Sequence, residues 1–153
     1  MTMKTAGFTL VELVVTIGIL AIMAAVAAPR FFRASTFESR GFYDKSAAVI
    51  RLAQKTAVAW RRPVYVCVTT AAVSTVKAGT AAGCGTALKY PETLADVSES
   101  GPSGVTLNAI EFSFDALGRP SVAGATITFT SSIAGDPPRQ ITVAAETGYV
   151  SAN

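Results

Sequence analysis

Few residues in this sequence have types and spacing that could do chemistry, and the first of them is Glu12. It stands in KTAGFTLVELVVTIGILAIMAAVAAP, residues 4 to 29, and is the one charged residue in an apolar run from Phe8 to Ala28. A carboxylate inside hydrocarbon costs about 2.5–3.5 kcal/mol on insertion scales, so Glu12 calls for a buried cation as its partner. Two thiols, Cys67 and Cys84, come next, followed by a basic helix face of Arg51, Lys55, Arg61 and Arg62. The chain has no His, which excludes Ser-His and Cys-His nucleophile arrangements, HExxH zinc sites and C2H2 fingers by residue type. Two thiols without His or CxxC spacing do not suggest a metal centre. GTAAGCG, residues 79 to 85, lacks the Lys and Ser/Thr of a phosphate-binding loop and reads as turn sequence. No cofactor and no enzymatic constellation is expected.

The elements that must position these residues can be read in order. With 153 residues, half of them hydrophobic, the chain can supply one membrane segment and one small domain. As a helix, Phe8 to Ala28 spans about 31 Å, which matches a bilayer core. On spacing alone it is a plain anchor or a signal peptide with small residues near Ala27 and Ala28, but neither reading accounts for Glu12. Beyond Pro29, residues Tyr43, Ala47, Ile50, Ala53, Ala57 and Trp60 fall on one face of an amphipathic helix, and Asp44, Arg51, Lys55 and Arg62 fall on the other. Pro63 predicts an end near Arg62; Pro29 and Gly41 are the places for a bend or local unwinding. Strands are predicted at 64–70, 109–114, 125–130 and 139–145, with a short last one at 148–151. Turns fall at DALGRP and AGDPPR. Residues 71–104 read as a variable loop with a short hairpin at most. The layout is α+β: a long N-terminal helix packed against an antiparallel sheet. Charge divides the same way, with eight Lys/Arg against three acids in residues 8–62 and four against seven in 63–153.

Gly7-Phe8-Thr9-Leu10-Val11-Glu12-Leu13, after a short polar leader with Lys4, resembles the cleavage and methylation motif of type IV prepilins and pseudopilins. The resemblance implies that prepilin peptidase cuts between Gly7 and Phe8 and methylates the new Phe8 amine, so that 1–7 is a leader, 8–29 a transmembrane and assembly helix, 30–62 an amphipathic helix and 63–153 a periplasmic β-rich domain. It also implies that Glu12 faces the N-terminal amine of a neighbouring subunit during assembly. Arg30, Arg33 and Arg40 outnumber Lys4 across the apolar run, a charge count that would place the domain in the cytoplasm; the motif implies the opposite topology and is given precedence. FSFDALGRP, ITFT and ITVAAETGYVS are similar to the C-terminal domain of pseudopilin H of type II secretion and related minor pilins. GFYDKSAAVIRLAQKTAVAWRRPVYVCV is similar to the helix and first strand of that group, including mannose-sensitive haemagglutinin-type pilins. For DALGRP, an ordinary hairpin turn is as good a reading as a contact role. In the periplasm Cys67 and Cys84 would oxidise and close a loop, stabilising by about 3 kcal/mol; the alternative leaves Cys67 buried on its strand and Cys84 free.

The resulting expectation is a minor pilin or pseudopilin of the inner membrane and periplasm, assembling with other pilins or pseudopilins into a type II secretion pseudopilus or a type IV pilus. The alternative is a DNA-binding minor pilin for DNA uptake through Arg51, Lys55, Arg61 and Arg62. Against it, the domain is acidic, and Glu146 to Ser151 contains no arginine where a DNA-binding relative has a Gly-Arg-rich end, so counterion release is poorly supplied. A membrane-anchored enzyme or sensor is the third class, and nothing in the residue pattern supports it.

Overall fold

The computed structural model describes residues 9–70 and 74–153, with side chains for all of these except 26–34. Helix α1 runs over Leu10–Trp60, 51 residues. Helical conformation is kept at Pro29 and Gly41, so the local unwinding expected there is absent. The chain divides between Ala34 and Ser35 into two units.

In the first unit Leu10, Val11, Leu13, Ile17, Leu20 and Ile22 each expose more than half their surface. Of the expected 8–29 membrane segment, Phe8 and the side chains of 26–29 lie outside the described residues. Among the described residues no helix is long and apolar enough to cross a membrane.

In the second unit α1 buries Phe42, Tyr43, Ala47, Val49, Ile50, Ala53 and Ala57. The expected stripe is recovered and widened by Phe42 and Val49, which a narrower helical spacing misses. Trp60 departs from the expectation. It is 46% exposed because α1 ends on it, and the guanidinium of Arg62 lies 4.6 Å from its ring centroid.

Eight strands follow among the described residues: β1 Val64–Thr69, β2 Thr75–Gly79, β3 Ser98–Ser100, β4 Val105–Leu107, β5 Ile110–Phe114, β6 Ala125–Ser131, β7 Arg139–Val143 and β8 Val150–Ala152. They form two four-stranded sheets, ordered β3-β2-β1-β5 and β4-β6-β7-β8, rather than the single sheet expected. All pairings are antiparallel; β1 pairs Val66 with Ala78 on one side and with Phe112 on the other, and β6 pairs Ile127 with Ile141. Both sheets bury their inner residues with α1 in one core that includes Val64, Val76, Phe114, Ile127, Ile141 and Val150. Phe129 anchors the sheet-to-helix contact edge-on, with centroids 5.6 Å from Phe42 and 5.1 Å from Tyr43. Strands β2 and β3 lie in the segment expected to be loop. Val76 and Ala78 do alternate inward, but Ala, Gly and Thr give that alternation little hydrophobic contrast.

The end of α1 is built without glycine. Arg61 takes the left-handed conformation (φ 52°), its N–H donates to Val58 C=O and the N–H of Arg62 donates to Ala57 C=O, both at 3.3 Å. These are the two bonds of a Schellman cap, and Pro63 then stops the chain from continuing the helix. Glycine removes the steric cost of that φ and gives back part of the gain through its freer unfolded chain. Arg61→Gly should therefore raise stability by about 0.5–1 kcal/mol, read as a higher denaturant midpoint for residues 35–153 with an unchanged slope.

Candidate functional site

The candidate site begins at the first turn of α1. Thr9 caps it, its Oγ1 accepting the N–H of Glu12 at 3.2 Å while its carbonyl accepts the N–H of Leu13 at 3.1 Å. Thr9-x-x-Glu12 is the spacing of a capping box, a signal present in the sequence that explains why the helix starts where it does. The Glu12 carboxylate thus lies in the first turn, at the positive end of the helix dipole. It makes no ion pair among the described residues. Gly7 and Phe8, the expected processing residues, lie outside the described residues.

In the β-rich unit, α1 also presents a line of hydrogen-bond donors to the end of the chain. The Tyr43 hydroxyl lies 2.9 Å from Gln140 C=O and 3.0 Å from Asn153 C=O and shares its one proton between them. Arg51 donates to Val150 C=O at 3.2 Å, and both Nε2 protons of Gln54 are used, on Gly118 C=O and Thr147 C=O at 3.1 Å each. Burial, reinforced by the charge of Asp44, pushes the Tyr43 phenol above its ordinary value and keeps it a donor. The two turns that Gln54 bridges are held close enough that a Cβ on Gly148 would lie 1.9 Å from the Gly118 carbonyl oxygen. DALGRP is indeed a glycine-dependent reversal, closed by Asp115 Oδ1 accepting the N–H groups of Leu117 and Arg119 at 2.8 Å.

A second tie fixes the start of the buried helix face. Asp136, 7% exposed, accepts from the Ser39 hydroxyl through Oδ2 and from Arg139 through Oδ1 at 2.7 Å. Burial raises the Asp136 carboxyl, but bonds from Ser39, Arg139 and Ser131 outweigh it and hold the group below its ordinary value. Residue spacing gives no sign of this pair, since Ser39 and Asp136 are 97 positions apart.

Cys67 on β1 and Cys84 are joined in a disulfide with a sequence separation of 17, a closure worth about 3 kcal/mol in the chain-entropy model. Glu111 on β5 accepts the N–H of Gly83 at 2.7 Å, fixing the same short 3-10 turn, Ala82–Cys84, onto the sheet.

The four basic residues expected on one face are put to separate uses. Arg51 donates to Val150 and Arg62 stacks on Trp60, while Lys55 lines a groove with Leu88 and Pro91 and Arg61 serves the helix cap through its backbone alone. Among the described residues no group of three or more His, Cys, Asp or Glu could hold a metal.

Residues 2–28 match the prokaryotic N-terminal methylation motif, and residues 44–148 match the type II transport protein GspH family. The chain belongs to that family. Its members are structural subunits of the pilin and pseudopilin class. The β-rich architecture agrees with solved structures of the type IV minor pilin FimU of Pseudomonas aeruginosa PAO1 (16% identity, TM-score 0.59, 76% of this chain and 88% of that one). It agrees equally with the minor pseudopilin EpsH of the Vibrio cholerae type 2 secretion system (11% identity, TM-score 0.59, 76% and 96%). At such identities the likeness is one of fold. No curated protein matches the chain.

The lowered carboxyl of Asp136 sets a pH dependence. Its contribution is present above the unfolded carboxylate value, about 3.9, and is lost as pH falls through the lower folded value. Thermal melts of residues 35–153 should show a falling midpoint below about pH 4. Asp136→Ala should lower stability at pH 7 by about 3 kcal/mol, since it leaves Arg139 without its partner, and should flatten that part of the profile.

Proposed function

We propose that this chain is a minor pilin or pseudopilin, cut by prepilin peptidase between Gly7 and Phe8, methylated on the Phe8 amine, and assembled into a type II secretion pseudopilus or a type IV pilus. Residues 8–29 hold it in the bacterial inner membrane, with the β-rich residues 63–153 in the periplasm, until assembly. Its partners are other pilins or pseudopilins, met through the N-terminal helix, and its role is structural support of secretion or of pilus biogenesis.

The observation that carries this reading is the placement of Glu12. A carboxylate without an ion pair among the described residues stands in the first turn of a helix whose neighbouring side chains, Leu10, Val11, Leu13 and Val14, are apolar and exposed. Such a group is costly in hydrocarbon alone and tolerable beside a buried amine. Cleavage after Gly7 would supply that amine from a neighbouring copy at Phe8. The oxidised Cys67–Cys84 pair supports a periplasmic domain, because disulfides persist in oxidising compartments. DNA uptake is the weaker reading: Arg51 and Arg62 are engaged within the domain, which leaves Lys55 and Arg61 of the expected basic face for the phosphate contacts that dominate such binding.

Intact-mass measurement of the membrane-extracted protein tests the proposal. The expected mass corresponds to loss of residues 1–7 and gain of one methyl group, and Gly7→Val should leave the leader attached. A mature terminus near Arg30 would establish an ordinary signal peptide instead.

A further inference from the structure

Between β2 and β3 the chain forms a small closed loop. The N–H of Tyr90 donates to Ala95 C=O and the N–H of Leu94 to Tyr90 C=O, each at 2.9 Å, while the Lys89 ammonium donates to Leu94 C=O at 3.2 Å and to Asp96 at 2.9 Å. At its tip Leu94 has a φ of 55°, a left-handed conformation that leucine rarely adopts. The side chain is nevertheless 70% exposed. A strained backbone held by four hydrogen bonds, used to hold a large apolar side chain in water, is an arrangement characteristic of contact sites. Beside the loop, and sharing Pro91 with it, runs a groove of about 300 Å³ lined by Leu52, Lys55, Ala59 and Trp60 of α1 together with Leu88. Lys55 on the groove and Glu92 on the loop make no ion pair among the described residues.

We propose that two copies of this chain associate through a two-fold contact in which Leu94 of each copy enters the groove of the other and Glu92 of each faces Lys55 of the other. The loop that carries the knob also supplies Lys89 and Pro91 to the groove, and an isologous interface needs knob and groove to be neighbours, because the same patch must serve both sides. The apolar groove suits a leucine, the unpaired charges are opposite in sign, and the pre-closed loop loses little freedom on docking. The contact area is small, which places the association among weak and transient interfaces. It uses nothing from the first unit, so it goes beyond the filament reading and stands or falls separately from it.

The test uses the full chain in detergent, prepared as a mixture of light and heavy isotope-labelled copies, with an aliphatic diazirine amino acid at position 94. Irradiation should give a dimer whose mixed-label crosslinked peptides contain residues 52–60 or 88–91 of the other copy. Lys55→Glu or Glu92→Lys alone should lower the dimer yield at least about fivefold, as expected when an attractive charge pair becomes repulsive, and the double variant should restore it. The altered positions Lys55, Glu92 and Leu94 are exposed, and unchanged melting curves would show the folds intact. Absence of a dimer, crosslinks to another surface or only to a different protein, or equal yields in the single and double variants would overturn the proposal.

Discussion

The β-rich unit is organised by one face of α1. Its two sheets share no strand pair among the described residues, so they are joined through side chains, and Tyr43, Ala47, Ile50, Ala53 and Ala57 supply the surface on which both close. Three of these are alanines, which cost a helix little and let the sheets approach. Tyr43 and the flanking Arg51 and Gln54 donate to carbonyls of Gln140 on β7, of Val150 on β8, of Asn153 just beyond it and of two glycine turns. A free edge such as that of β8 invites pairing with another chain; here Arg51 occupies one of its carbonyls, that of Val150. Burial and hydrogen bonding thus act through the same residues, and the Asp136 tie to Ser39 adds a third anchor at the start of the buried face.

How much of this was legible depends on how local each signal is. The helix and five of the strands follow from periodicity, because β-branched residues at 64–70 and 125–130 alternate strongly. The division of the strands between two sheets did not follow, since β3 and β4 are three residues each and β2 relies on Val76 and Ala78 for its inward side. Trp60 misled because a periodic stripe does not show where the helix stops. The cap at Arg61 gave no glycine signal. Ser39 and Gln54 carry no local signal, since their partners lie far along the chain, whereas Asp136 and Arg139 are only three positions apart, within the AGDPPR turn. The Thr9-x-x-Glu12 capping spacing is local and present in the sequence, although the glutamate stands out there by its charge within an apolar run.

GspH-family membership and the methylation motif place the chain among filament subunits, and the physical problem such a subunit must solve is how to be stable before assembly yet committed after it. A carboxylate at Glu12 answers both demands under the proposed pairing. It is costly while unpaired in hydrocarbon, and paired once a neighbour brings its amine. The β-rich unit, with its own core, disulfide and ties, needs nothing from that pairing to fold.

The most direct test is Glu12→Ala, scored for recovery in sheared filaments beside abundance in the membrane. The account predicts normal or raised membrane levels and leader cleavage, because a polar group has been removed from hydrocarbon while the Gly7–Phe8 junction is untouched. It also predicts a loss of incorporation, because an amine buried without its partner costs about 3–5 kcal/mol. Normal incorporation at normal abundance would contradict it and show that Glu12 is tolerated in the helix rather than used.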